Sequence, residues 1–438
     1  MSKYFFSRDF SGRTTFSSDL QSSEFMSIDF IPSVLSASGM KNALWEMSEG
    51  GSIDTRPLLH EGKIFFGACD KNFYCIDAET GKEIWRFAAT GPIFSSPALF
   101  EDKVCFGDWG GIFYALDMRT GKLAWKFRTD YRIFSSPAIG KNAIYFGSWD
   151  RNLYALDFSG RLLWKFSAGG EILSNPCAHE DMIFFGSWDN NIYALSQNGN
   201  LLWKFATKSS VFNSSVVYED KVYFGSMDDS IYCLSLDGKL LWKFTTGNAA
   251  DTIPTLHKGV MYAGSRDQNF YAVDAESGKL LWKIKTGSML GMYSAVKNDT
   301  IYFGSWDGNL YAASLDGRLL WKFRANAAID GGFAFLGDRI YFGSWDCNLY
   351  CITDKGELVW KFPTSMGTQS KVYLESYKIS PFHPEFTLRI EEPEQEKKKE
   401  QAGLSDYGQI GSQYGLNMSE YAGGIGSDYL GKKKKSQF

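Results

Sequence analysis

Tryptophan recurs at Trp45, Trp85, Trp125, Trp164, Trp203, Trp242, Trp282, Trp321 and Trp360, with gaps of 40, 40, 39, 39, 39, 40, 39 and 39 residues. A period held this tightly means that one supersecondary unit is copied along the chain. Such a unit cannot bury its own apolar faces, so its copies must stack or close into a ring. Most of the 438 residues therefore belong to a single domain.

The unit is clearest between Phe134 and Phe166. It reads Phe134-Ser-Ser-Pro-Ala-Ile139, Ala143 to Ser148, Asn152 to Asp157 and Leu162 to Phe166. These are short segments rich in aromatic and β-branched residues, bounded by Gly, Asp, Asn and Ser. They predict four antiparallel strands, A to D in chain order, joined by tight turns. No 3.6-residue apolar period interrupts them.

Glycine stands four residues before each tryptophan from Trp85 onward, from Gly81 to Gly356, as a C–D turn that needs positive φ requires. The 40-residue units carry one extra residue there (Asp77-Ala-Glu-Thr-Gly81 against Asp157-Phe-Ser-Gly160), so length varies in a turn and leaves the sheet intact. Strand B ends in glycine eight times, at Gly67, Gly107, Gly147, Gly186, Gly225, Gly264, Gly304 and Gly343. Eight small four-stranded sheets close best around an axis. The predicted fold is all-β, an eight-bladed β-propeller of four-stranded antiparallel blades. The small residues of strand A suit the crowded centre and the Trp-Lys-Phe of strand D the wide rim.

Nine tryptophan strands compete for eight outer positions. Both Asn42 to Met47 and Glu357 to Phe362 resemble strand D, and one of them is expected to zip the last blade to the first. Residues 1–41 are expected to form a poorly ordered N-terminal segment, 42–380 the propeller, and 381–438 a charged linker and disordered tail. That tail repeats Ser-x-Tyr at Ser405, Ser412, Ser419 and Ser427 before the basic run Lys432 to Lys435.

A net charge of −4 argues against a dedicated nucleic-acid binder. No apolar run reaches membrane-spanning length, and the first residues lack a secretory h-region. Of the seven cysteines, Cys75, Cys233 and Cys351 occupy a slot that other repeats fill with alanine. They read as reduced core fillers, which suits a cytoplasmic protein.

The stretch Tyr-Ala-Leu-Asp…Gly-Lys-Leu…Trp, as in Tyr114 to Trp125 and Tyr271 to Trp282, resembles the pyrroloquinoline-quinone-type propeller repeat. That repeat occurs in quinoprotein alcohol dehydrogenases and in the outer-membrane assembly lipoprotein BamB. The resemblance implies that the strand-D tryptophans dock blade on blade. Quinoprotein dehydrogenases typically use adjacent cysteines over the cofactor and a calcium-type site; adjacent cysteines are absent here, and no quinone or metal is expected. The Trp-Asp pairs lie in the B–C turn, unlike those of WD40 repeats.

Function in a ring of copies lies where copies differ. Two residues after the strand-B glycine stand Cys69, Trp109, Trp149, Trp188, Met227, Arg266, Trp306 and Trp345, on the face shared by B–C turns and D–A loops. They read either as interblade packing or as an aromatic recognition ring. Thirteen residues before the same glycine stand Asp54, Phe94, Phe134, Leu173, Phe212, Asp251, Gly291 and Asp330. This slot predicts a funnel at the channel mouth, apolar over blades two to five and acidic over blades six, eight and one. His60, His179 and His257 share a slot on the opposite face, in blades too dispersed for one metal.

The leading expectation is a monomeric, non-enzymatic scaffold that binds a protein partner on the B–C/D–A loop face. A small-ligand or quinone-binding propeller, and a sensor domain of a signalling system, are the alternatives.

Overall fold

The computed structural model describes residues 51–364, and every element in that range is a β-strand. Thirty-two strands form eight sheets of four, each built from consecutive antiparallel strands. In blade three they are Ala138–Ile139, Ile144–Gly147, Asn152–Leu156 and Leu162–Ser167. The chain is an eight-bladed β-propeller, and its repeat is the one the tryptophan period marks.

Strand C explains why the sheets must pack together. Its residues are buried on both faces, so Phe73 and Cys75 join a core shared with blade two, while Tyr74 and Ile76 join one shared with blade eight. Eight such cores alternate with the eight blades, and the last joins Ile64, Phe66 and Tyr74 to Tyr341, Leu349 and Cys351. Each buried aromatic contributes about 2–3 kcal/mol of transfer free energy.

Two glycine series are seats for neighbouring blades. Gly160 has φ 84°, and a Cβ there would lie 2.6 Å from Cδ2 of Trp125 in the preceding blade. The indole Nε1 of Trp125 donates to the carbonyl of Phe158 at 3.0 Å, fixing the same joint by a hydrogen bond. At the end of strand B, a Cβ on Gly107 would lie 2.2 Å from Ile133 Cγ2, so this glycine admits the loop that enters the next blade.

One expectation needs correction. The regular part of strand A is only two residues long in blade three, because Phe134 and the residues after it leave the sheet to pack at the channel mouth. Of the two candidates for joining the last blade to the first, Glu357 to Phe362 supplies Leu358–Pro363, the fourth strand of the last blade. The ring closes through this strand and the loops beside it. Ile53 N–H donates to Ser344 O at 3.2 Å, Trp360 Nε1 to Glu79 O at 3.0 Å, and Thr364 Oγ1 to Gly51 O at 2.8 Å. The segment containing Trp45 and the Ser-x-Tyr tail lie outside the described residues. Among the described residues no helix is long and apolar enough to cross a membrane.

Candidate functional site

The B–C turns and D–A loops share one face, and an aspartate pins them together in blades two to eight. In blade four, Asp189 accepts from Tyr193 Oη at 2.5 Å and from the Gly169 N–H at 2.8 Å. The Trp-Asp pair is therefore a structural device: its carboxylate joins turn, strand and incoming loop. Burial pushes the Asp189 carboxyl up, but the bonds from Tyr193, Asn191 and Gly169 outweigh it and hold the group below the usual range. Blade two moves the acid two positions earlier. Asp108, fully buried, takes Tyr114 Oη at 3.0 Å, Thr90 Oγ1 at 2.6 Å and the backbone N–H of Gly91 and Ile112 at 2.9 Å each.

The two variable slots meet at the channel mouth, as their shared face requires. Phe94, Phe134, Leu173 and Phe212 pack with Trp109 into one apolar cluster, with Cys69, Trp149, Trp188, Met227 and Met292 against it. The Phe94 and Phe134 rings stack at 5.5 Å, and Trp109 meets Trp149 edge-on at 5.8 Å. These side chains plug the mouth; they do not line an open funnel. The cavity beneath, bordered by Asp54, Ser136, Asn175, Asn213 and Tyr293, leaves about 10 Å³ for water-sized molecules. Tyr293 Oη and Asn175 Nδ2, from blades seven and four, lie 3.4 Å apart across it.

The acidic arc is equally satisfied from within. Asp251 holds Arg266 through two contacts to one oxygen, at 2.8 and 2.6 Å. Asp330 accepts from Trp306 Nε1 at 2.8 Å, and Asp54 accepts from Trp345 Nε1 across the joint between last and first blades. Burial raises the Asp54 carboxyl to about 6. Burial, and then the charge of Asp54, raise Asp330 to about 7. Here the tryptophan slot supplies indole donors, whereas over blades two to five it supplies apolar bulk.

Two arrangements escaped the sequence reading. Below the mouth, the backbone N–H groups of Arg56, Ser96, Ser136 and Asn175 donate to Ser96, Ser136, Asn175 and Ser214 in turn, at 2.6–3.2 Å, linking five successive blades. The repeated Ser or Asn eleven residues before the strand-B glycine was the available signal. The second is Tyr131 and Arg132 in the loop entering blade three, where the other loops carry mainly Gly, Ser, Ala or Asn at the tyrosine position. Tyr131 is 48% exposed, and the Arg132 guanidinium lies 4.7 Å from the Trp109 ring.

His60, His179 and His257 end the first strands of blades one, four and six, at the opposite end of the ring. Among the described residues no three His, Cys, Asp or Glu side chains are grouped to hold a metal ion. All seven cysteines are free thiols, buried or half-buried.

This geometry defines a propeller of pyrroloquinoline-quinone-like repeats whose individuality is concentrated on one loop face. A family model described as outer membrane protein assembly factor BamB matches residues 34–157, 110–226, 189–317 and 306–380. The chain belongs to that family. Among solved structures, it is similar to the computationally designed Ika8 protein at 17% identity, covering 70% of this chain and 98% of that one, with a TM-score of 0.63. BamB from Moraxella catarrhalis is similar at 15% identity, 69% and 94% coverage and a TM-score of 0.59. Quinohemoprotein alcohol dehydrogenase from Comamonas testosteroni is similar at 13% identity, 72% and 76% coverage and a TM-score of 0.62. At these identities the likeness shows the fold. The comparison with curated proteins returns no match.

Proposed function

We propose that the chain is a non-enzymatic interaction scaffold that holds a protein partner on its B–C/D–A loop face. One observation carries this reading: the blades are near copies through their strands, yet on this face they present different groups around a plugged centre. Trp149, Trp188, Trp306 and Trp345 are half-buried there, each giving part of an indole to the surface. Large amphipathic side chains held rigidly are the usual anchors of protein interfaces. Membership of a family described by an assembly factor is in keeping with such a role.

The quinone-binding alternative meets a steric objection. A drug-sized or cofactor-sized ligand occupies a pocket of about 300–1,000 Å³, whereas the channel cavity leaves about 10 Å³ for water-sized molecules. Phe94, Phe134 and Phe212 pack together at the channel mouth, which counts against a flat ring system stacking there. Free, reduced cysteines support a cytoplasmic setting.

The test is affinity capture with the full chain, comparing wild type with Trp149→Ala/Trp188→Ala and Trp306→Ala/Trp345→Ala. Each double variant should lose a partner that the wild type retains; identical partner profiles would refute the face. Addition of pyrroloquinoline quinone with calcium should leave the melting temperature unchanged, since a ligand that binds only the folded state would raise it.

A further inference from the structure

Two arginines of the loop face, Arg266 and Arg132, are held in opposite ways. Arg266 lies against Asp251, with its Nε and Nη2 at 2.8 and 2.6 Å from one carboxylate oxygen. Among the described residues Arg132 has no such partner. Its Cζ lies 4.7 Å from the Trp109 ring centroid, 5.2 Å from Tyr131 and 5.3 Å from Trp149. Among the described residues no carboxylate comes within ion-pair distance of it.

The backbone holds this guanidinium in place. The Arg132 carbonyl accepts from the Trp149 N–H at 2.9 Å and from Ser148 Oγ at 3.1 Å, and the Tyr131 carbonyl accepts from Thr129 Oγ1 at 2.5 Å. A Cβ on Gly111 of blade two would come within 2.6 Å of the Tyr131 carbonyl oxygen, so the loop sits tightly against its neighbour. The aromatic rings stabilise the cation through their faces, and among the described residues no carboxylate takes its in-plane N–H donors. A planar fork held this way is matched by a carboxylate, which accepts two parallel N–H bonds. Tyr131, 48% exposed beside it, offers an apolar shelf.

Accepting the loop face as the partner surface, we infer that Arg132, caged by Trp109, Tyr131 and Trp149, is the anchor for an acidic side chain of the protein partner. The segment recognised carries an Asp or Glu next to an aromatic or aliphatic residue that lies on Tyr131. Arg132 positions the partner through its charge and fork; Tyr131 selects for the adjacent apolar group.

A displayed library of random dodecapeptides, selected on the immobilised full chain, tests this. Enriched peptides should share an Asp or Glu beside an apolar residue. Their affinity should fall about tenfold on Arg132→Gln, and by a similar factor when the peptide acid is replaced by its amide. The two changes together should cost little more than either alone, because both remove one interaction. Arg132→Lys, which keeps the charge and loses the fork, should recover only part of the affinity. Circular dichroism must show each variant folded; should Arg132→Gln fail to fold, the peptide-side amide and Arg132→Lys carry the test.

Enriched peptides that are basic, or that bind Arg132→Gln as well as wild type, would overturn the anchor. So would the absence of any enrichment over protein-free support. If those peptides still respond to Trp306→Ala/Trp345→Ala, the face stands and the anchor alone fails. If they respond to no substitution on the face, both fail.

Discussion

Trp345 donates its indole N–H to the Asp54 carboxylate across the joint where the eighth blade meets the first. Two residues far apart in sequence thus complete the ring beside a second buried acid, Asp330. Both carboxyls are raised, to about 6 and about 7, first of all by burial. The folded chain therefore keeps protons that the unfolded chain releases above its ordinary carboxyl pKa of 3.8. This contribution is fully present below that value and is lost as pH rises through 6 and 7. Asp330→Asn should raise the melting temperature at pH 8 and flatten its decline between pH 5 and 8, with a gain of up to roughly 3 kcal/mol. A variant that keeps the wild-type slope would show that Asp330 does not carry the proton.

The turn aspartates act in the opposite direction. Asp189, Asp267 and Asp307 are held below the ordinary range by their tyrosine and backbone donors, despite burial. Their stabilisation is present above the unfolded pKa and disappears as pH falls through the lowered folded values. Acid unfolding followed by tryptophan fluorescence should begin below about pH 4, and Asp189→Asn/Asp267→Asn should shift its onset to higher pH.

Blade two offers an internal comparison. Asp108 is fully buried and satisfies donors from Thr90, Gly91, Ile112 and Tyr114. Asp108→Ala would orphan several of them at once and should cost about 3–4 kcal/mol in urea denaturation. Asp189→Ala, at a half-buried site, should cost about 1–2 kcal/mol. Equal costs would remove the distinction.

Gly160→Ala should be among the most damaging single-methyl additions. It combines a positive φ with a contact 2.6 Å from Trp125 Cδ2, and about 2–4 kcal/mol is expected. Trp125→Phe, which loses only the indole donor to Phe158 and some ring area, should cost about 1–2 kcal/mol. Reversal of that order in equilibrium unfolding would mean that the joint relaxes around the new methyl.

The outer wall should be indifferent to polarity. Leu163 and Leu202 are 52% and 50% exposed on the edge strands of their blades. Leu163→Ser/Leu202→Ser should change stability by no more than about 0.5 kcal/mol per site, while lowering light scattering in concentrated solution.

Much of this architecture was readable because each blade repeats one local pattern. The C–D glycines, the strand-B glycines and the tryptophan spacing located turns, strands and joints, since turn chemistry and two-residue alternation are local properties. The sequence also placed Asp54, Phe94, Trp149 and Trp345 at one mouth, because equal offsets in a cyclic repeat must fall at equal heights. It could not show that these side chains turn inward and fill that mouth. Nor could it show that Asp54 bonds an indole 291 residues away, or that Arg132 lies among three rings while Arg266 is ion-paired. Those outcomes depend on how eight blades crowd around one axis. Chain order determined the blades and their number; closure of the ring decided which side chains meet, because burial and electrostatics at the mouth arise only when distant blades become neighbours.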